Sequence, residues 1–160
     1  EKTYFTRKHF NRFGKGITST ESFIHHIKGK INFIGQVAME GNKLLGLKSD
    51  LTFTGSWFSI NRKHTYHEMH NHIPSTWSGV YYVQAEEDDA PITFYDTNKD
   101  TNWPWAGYEE ANQYNTPSYS VTPKTGRLLI FPSHMRHGVA QQKIDRERIT
   151  ISFNLMATNN

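Results

Sequence analysis

The pattern of apolar and polar residues changes character at about residue 50. Before it, Phe23, Ile24 and Ile27 recur at spacings of three and four, which puts them on one stripe of a helix. Thr18 and Glu21 form the Thr-x-x-Glu pattern in which each side chain satisfies an exposed backbone N–H of a first turn, and Gly29 is placed to stop the helix. These signals predict a helix from about Ser19 to Lys28, set in a flank (residues 1–50) that packs on the rest of the chain. His25 and His26 fall within it and read as surface or boundary residues.

From Leu51 onward the period shortens to two. Runs rich in Val, Ile, Tyr, Phe and Thr, separated by Pro, Gly, Asp and Asn, predict strands at Leu51–Ile60, Tyr66–His72, Gly79–Ala85, Pro91–Tyr95, Ser118–Thr122, Arg127–Phe131, Gly138–Gln142 and Arg148–Leu155. About eight short strands in roughly 105 residues predict a mainly β domain, a double-sheet jelly roll or a small barrel. The stretch from Thr97 to Pro117 breaks the pattern. It holds Trp103-Pro104-Trp105 among many Asn, Asp and Thr residues, and a patternless loop of this length is expected to be a functional cover over a site.

Composition narrows the class. A chain of 160 residues with 14% aromatic and 21% charged residues has the makings of one folded domain and is not disordered. The net charge is only +3, and the one basic cluster (Lys2, Arg7, Lys8, Arg12, Lys15) reads as a solvated tail, so no nucleic-acid partner is expected. The absence of cysteine excludes disulfides and thiolate metal sites and suits a reducing compartment. No apolar run reaches the roughly 18 residues of a membrane span, and no signal peptide is visible. A soluble, cytoplasmic protein without a membrane partner is the expectation.

The chemistry is concentrated in two segments. Residues 64–72 read HTYHEMHNH, so four of the nine histidines fall in nine positions. On a strand, alternate side chains share a face, so His70 and His72 project together and can chelate one metal ion. His64 and His67 read as supporting or surface groups. The second segment, GRLLIFPSHMRHGV (126–139), is an apolar strand broken at Pro132, with His134 in the turn and His137 where the next strand resumes. A third ligand is expected from it, His137 in preference to His134.

SGVYYV (78–83), PKTGRLLIFPSHMRHGV (123–139) and RITISFNL (148–155) resemble signature segments of the 2-oxoglutarate/iron(II)-dependent oxygenases related to prolyl 4-hydroxylases. The resemblance runs from about Trp57 to Leu155. It implies a double-stranded β-helix (jelly roll, cupin-like) as residues 51–156 of one 1–160 domain, with the helical flank at its N-terminus. It implies iron(II) on His70, His72 and His137. It also implies 2-oxoglutarate as co-substrate, its far carboxylate held by Tyr82, Arg148 and Thr150. Arg146 has the same strand parity as Arg148 and is its rival. The implied reaction uses O2, oxidises an unactivated C–H bond of a small-molecule or peptide substrate, and releases succinate and CO2.

One residue departs from the pattern: the family's usual ligand set is two histidines and a carboxylate, and position 72 is histidine. Three imidazoles suit Fe, Zn, Cu and Ni alike. Two other readings therefore stay open. One is a three-histidine cupin dioxygenase that does not use 2-oxoglutarate, and the other a non-catalytic jelly-roll module that binds a metal.

Overall fold

The computed structural model describes residues 17–18, 28–47, 50–96, 109–110, 112 and 115–158. Among these residues nine strands and one helix run in the order β1 (Ile17–Thr18), α1 (Lys28–Leu44), β2 (Asp50–Asn61), β3 (His67–His70), β4 (Trp77–Gln84), β5 (Ile92–Tyr95), β6 (Ser118–Val121), β7 (Leu128–Pro132), β8 (Arg136–Val139) and β9 (Arg148–Thr158). They form two antiparallel sheets, of order β1-β2-β9-β4-β7 and β3-β8-β5-β6. This is the expected jelly roll; each predicted strand has a counterpart, but the one expected at Gly138–Gln142 lies earlier, at Arg136–Val139, and leaves Gln142 outside it.

The sequence of β7 explains the layering. Leu128 and Ile130 pack on one face of the five-stranded sheet, while Leu129 and Phe131 pack on the other. The outer face carries Trp77, Phe153 and Leu155, with Leu51 and Phe53, and is covered by Ile34 and Ala38 of α1. The inner face meets the second sheet through Val80, Tyr82 and Phe131 on one side and Ile92, Phe94 and Val139 on the other. Full burial of side chains such as Phe153 and Leu155 contributes about 1.5–3 kcal/mol each.

β2 serves both layers because its pairing with β9 slips between Phe53 and Gly55. The extra residue, Thr54, reverses the parity of everything after it. Leu51 and Phe53 thus face α1, whereas Trp57 and Ser59 face the interior cavity.

The helix differs from the expected one. Gly29 lies inside α1 and does not end it, and the span Ser19–Ile27 lies outside the described residues. With Gly29, Gly35 and Gly41, α1 is a poor helix by propensity. It forms because Ile34 and Ala38, four apart, reach the outer core. Gly41 allows close approach there: a Cβ would lie 2.8 Å from Trp77 Cζ2, and the indole N–H of Trp77 donates to Asn42 Oδ1 at 2.7 Å.

The basic residues Lys2, Arg7, Lys8, Arg12 and Lys15, and Trp103 and Trp105 of the expected cover, lie outside the described residues. The root of that loop is described: Tyr95 pairs with Ser118, and Asp96 N–H donates to Pro117 O at 2.8 Å. Among the described residues no helix is long and apolar enough to cross a membrane.

Candidate metal centre

Three histidines converge between the sheets. Nitrogens of His70, His72 and His137 all lie within 4.8 Å of one another, and the ring centroids are 4.5–5.1 Å apart. Two details of the expected scaffold change. β3 ends at His70, so His72 lies just beyond it and is held by its own N–H donating to Ser133 O at 2.9 Å. β8 begins at Arg136, so His137 sits within a strand, directly opposite His70 in the β3–β8 register.

Backbone carbonyls orient two of the imidazoles. His70 Nδ1 lies 2.7 Å from Glu68 O and His137 Nδ1 lies 2.9 Å from Met135 O, contacts in which the ring N–H donates to the carbonyl. That tautomer puts the ring's lone pair on Nε2. Burial, and secondarily the charge of His70, hold His72 at a pKa of about 4. Burial also dominates at His137, lowering it to about 4; the Met135 carbonyl works against this and His70 adds to it. Both rings are therefore neutral at pH 7, the form a metal requires. Phe131 and Phe94 pack on His137, and Trp57 on His72, which limits the rings' freedom.

The triad opens into a cavity of about 370 Å³. Tyr82, Arg148 and Thr150, all buried, line the same cavity. They meet there because Tyr82 and Thr150 are partners in the β4–β9 register and Arg148 shares the face of Thr150. Arg148 donates from Nη1 to Ala90 O at 2.6 Å, but its buried Nε has no partner. An unpaired guanidinium N–H in an interior costs free energy unless a ligand accepts from it. Burial raises the Tyr82 pKa, against the opposing influence of Arg148 and Arg127, so its hydroxyl stays a donor. Arg146 goes elsewhere: Nε donates to Asp89 Oδ1 at 2.9 Å and Nη2 to Asp88 Oδ1. It does not line this cavity.

His67, read from the sequence as a supporting or surface group, also lines the cavity, with Nε2 3.1 Å from Asn61 Oδ1. Strict alternation would put His67 and His70 on opposite faces. The β3–β8 register slips by one between them, opposite Gly138, and both turn inward. A Cβ on Gly138 would lie 3.0 Å from His67 O, so glycine gives this bulge its room. Burial first, then the charge of Arg148, holds the His67 pKa at about 3. Glu68, the nearest carboxylate in sequence, is exposed, and so are His64 and His134. His134 borders a separate groove.

The donor set, three imidazoles, fits a divalent transition metal, and the unpaired Arg148 Nε beside two hydroxyls fits a carboxylate. A family model described as "Putative 2OG-Fe(II) oxygenase" matches residues 55–154. No curated protein matches. Among solved structures, a Pseudomonas putida prolyl-4-hydroxylase is similar with a TM-score of 0.66 at 14% identity over 94% of this chain and 76% of that one. An alpha-ketoglutarate-dependent epimerase of nogalamycin biosynthesis gives 0.63 at 11% identity over 88% and 60%. A 2OG-Fe(II) oxygenase family oxidoreductase from Burkholderia pseudomallei gives 0.55 at 13% identity over 72% of this chain, which spans about half (49%) of that protein's length. At such identities the likeness is one of fold.

Proposed function

Because the chain belongs to the 2-oxoglutarate/iron(II) oxygenase family, whose model covers residues 55–154, we propose that it hydroxylates an unactivated C–H bond of a small-molecule or peptide substrate. Iron(II) would be held by His70, His72 and His137, and 2-oxoglutarate by Arg148, Tyr82 and Thr150. When bound, iron with 2-oxoglutarate supplies the oxidising power, one O2 being consumed as the co-substrate becomes succinate and CO2. On this reading residues 51–156 are the catalytic jelly roll and residues 1–50 its flank.

The chain's own groups bind, orient and exclude water. Three imidazole nitrogens would leave the remaining positions of a metal ion to co-substrate and O2. The Arg148 guanidinium neutralises the far carboxylate in a site where an unpaired charge is costly, with its Nε N–H as the free donor. The hydroxyls of Tyr82 and Thr150 complete that carboxylate's hydrogen bonds. Trp57, Phe94 and Phe131 wall the histidines with apolar surface that keeps water from the reacting centre.

The observation that carries this reading is one cavity lined both by a histidine triad and by a buried arginine with an unpaired N–H. Its test is succinate formation from 2-oxoglutarate by iron(II)-loaded protein in air. Succinate with O2 uptake is expected. The ligand set itself favours a second reading, since no carboxylate lines the cavity among the described residues. A three-histidine dioxygenase would take up O2 with its substrate and form no succinate, and Arg148 would then hold the substrate's own carboxylate.

A further inference from the structure

Gln142 is 1% exposed, unusual for an amide side chain, and it stands outside the strands, between β8 and β9. Every bond it makes ties a segment that carries the site. Its backbone N–H donates to Thr65 O at 2.8 Å, and its carbonyl accepts from His64 N–H at 2.7 Å. These bonds fix the turn leading into β3, where His64 holds a φ of 72°, a left-handed conformation that a non-glycine residue keeps only when its surroundings enforce it. Its side-chain Nε2 donates to Asp89 Oδ1 at 2.6 Å, and its Oε1 accepts from Ala90 N–H at 3.3 Å.

Ala90 is the residue whose carbonyl holds Arg148 Nη1. Its placement is set from both sides. The preceding turn is closed by Asp89 N–H donating to Glu86 O at 3.1 Å and Glu86 N–H donating to Asp89 Oδ2 at 2.8 Å. The same Asp89 carboxylate, 2% exposed, takes the Arg146 Nε N–H at 2.9 Å, two residues before Arg148 on the chain. The Ala90 carbonyl is the anchor of the Arg148 guanidinium, so the orientation of the unpaired Nε depends on where that carbonyl stands.

We propose that Gln142 is a positioning residue for the co-substrate: with Asp89 it fixes the Ala90 carbonyl, which aims Arg148 at the far carboxylate of 2-oxoglutarate. The inference rests on the proposed role of Arg148. Gln142 does not line the cavity itself. Its side chain acts on the carboxylate end of the cavity, while its backbone bonds to residues 64 and 65 survive substitution.

The experiment uses the full chain loaded with nickel(II), which binds without turnover, and titrates it calorimetrically with 2-oxoglutarate and with pyruvate. Pyruvate keeps the keto acid that meets the metal and lacks the far carboxylate. The parent is expected to prefer 2-oxoglutarate. In Gln142→Leu, of similar volume, 2-oxoglutarate affinity is expected to fall about ten-fold while pyruvate affinity stays within about two-fold. Asp89→Asn, run beside it, is expected to lose preference by a smaller factor, and it decides the question alone if the leucine variant does not fold. A variant that keeps the parent's preference overturns the role. Equal loss for both ligands also overturns it, because a merely loosened cavity would weaken them alike. A parent without any preference overturns the reading of Arg148 itself, and the positioning role with it.

Discussion

Along β4 and β9 successive side chains enter two different environments. On the outer face, Trp77, Phe153 and Leu155 lie against Ile34 and Ala38 of the helix, almost entirely apolar atoms in contact. On the inner face, Tyr82, Arg148, Thr150 and Ser152 border the cavity that holds the histidines. Burying the first set is favourable by itself, whereas burying the second is favourable only where each polar group finds a partner. The outer face therefore holds the sheet against its helix, and the backbone ladder passes that rigidity to polar residues that could not have secured it themselves. Substitutions on the two faces should accordingly separate stability from binding.

The largest effect is expected at the inner face. Arg148→Ala leaves the co-substrate carboxylate without its counter-charge in a buried site, a loss of about 3–5 kcal/mol, or roughly two to four orders of magnitude in 2-oxoglutarate affinity. Metal affinity should stay near the parent value. Calorimetric titration of nickel(II) and then 2-oxoglutarate checks both; if Arg148→Ala binds co-substrate normally and Arg146→Ala does not, the anchor is the wrong arginine. At the outer face, Phe153→Ala should cost about 3–5 kcal/mol of stability and leave nickel affinity unchanged at temperatures where the protein is folded. Gly79 sharpens the point: a Cβ there would stand 2.2 Å from Phe153 Cζ, so Gly79→Ala should overpack the same spot at about 1–3 kcal/mol. Denaturant melts read both. A variant of Phe153 that lost metal before it lost structure would end the division between the faces.

Much of this division can be read from the sequence, because alternation is a property of residue order. Leu128, Leu129, Ile130 and Phe131 assign themselves to two faces, and Arg148, Thr150 and Ser152 to one. What alternation cannot supply is the place where it fails. The extra residues at Thr54 and ahead of His70 leave no mark in hydrophobicity, yet the first turns Trp57 inward and the second brings His67 into the cavity. Gly138, small and directly opposite the second bulge, is the one signal of it in the residue order. Helix α1 is hidden for another reason. Its three glycines argue against a helix locally, and it is the sheet's outer face that makes it favourable. The Gln142 side chain has no sequence signature, since its bonds run to residues more than fifty positions away.

A smaller and pH-dependent difference should also divide the faces. The folded pKa of His67 is about 3, well below the ordinary histidine value of 6.5, chiefly through burial. The unfolded chain then binds more protons between those values, so metal-free protein should gain stability as pH rises from about 3 to about 6.5, with nothing further gained above. His72 and His137, each lowered to about 4, act in the same direction. Urea melts across this range should show a shallower slope for His67→Gln, which keeps a partner for Asn61. Phe153→Ala should shift the whole curve and leave its slope alone. An unchanged slope in His67→Gln would mean that His67 is not buried in its neutral form.

The smallest expected effect concerns the loop between β5 and β6, expected from the sequence to be a cover. The loop after β5 leaves the second sheet at Tyr95, one residue beyond Phe94, which packs on His137 and pairs with it across β5 and β8. Its return is pinned at the same point, where Asp96 N–H meets Pro117 O and Tyr95 pairs with Ser118. A segment rooted there starts on β5, the strand beside β8 and its candidate metal ligand, and returns on β6, the next strand out; it carries Trp103 and Trp105, whose large apolar surfaces suit the exclusion of water. If they serve that purpose, they belong functionally to the inner face and contribute little to the outer core. The double variant Trp103→Ala, Trp105→Ala should then melt within about 2 °C of the parent, less than a change of 1 kcal/mol produces in a domain of this size. With manganese(II) and 2-oxoglutarate bound, its water-proton relaxation should be faster, because solvent reaches the metal more freely. A melting temperature lowered by many degrees with relaxation unchanged would assign both tryptophans to the core. Stability would then draw on the loop as it draws on Trp77 and Phe153, and the two-face division would stop at the sheet's edge.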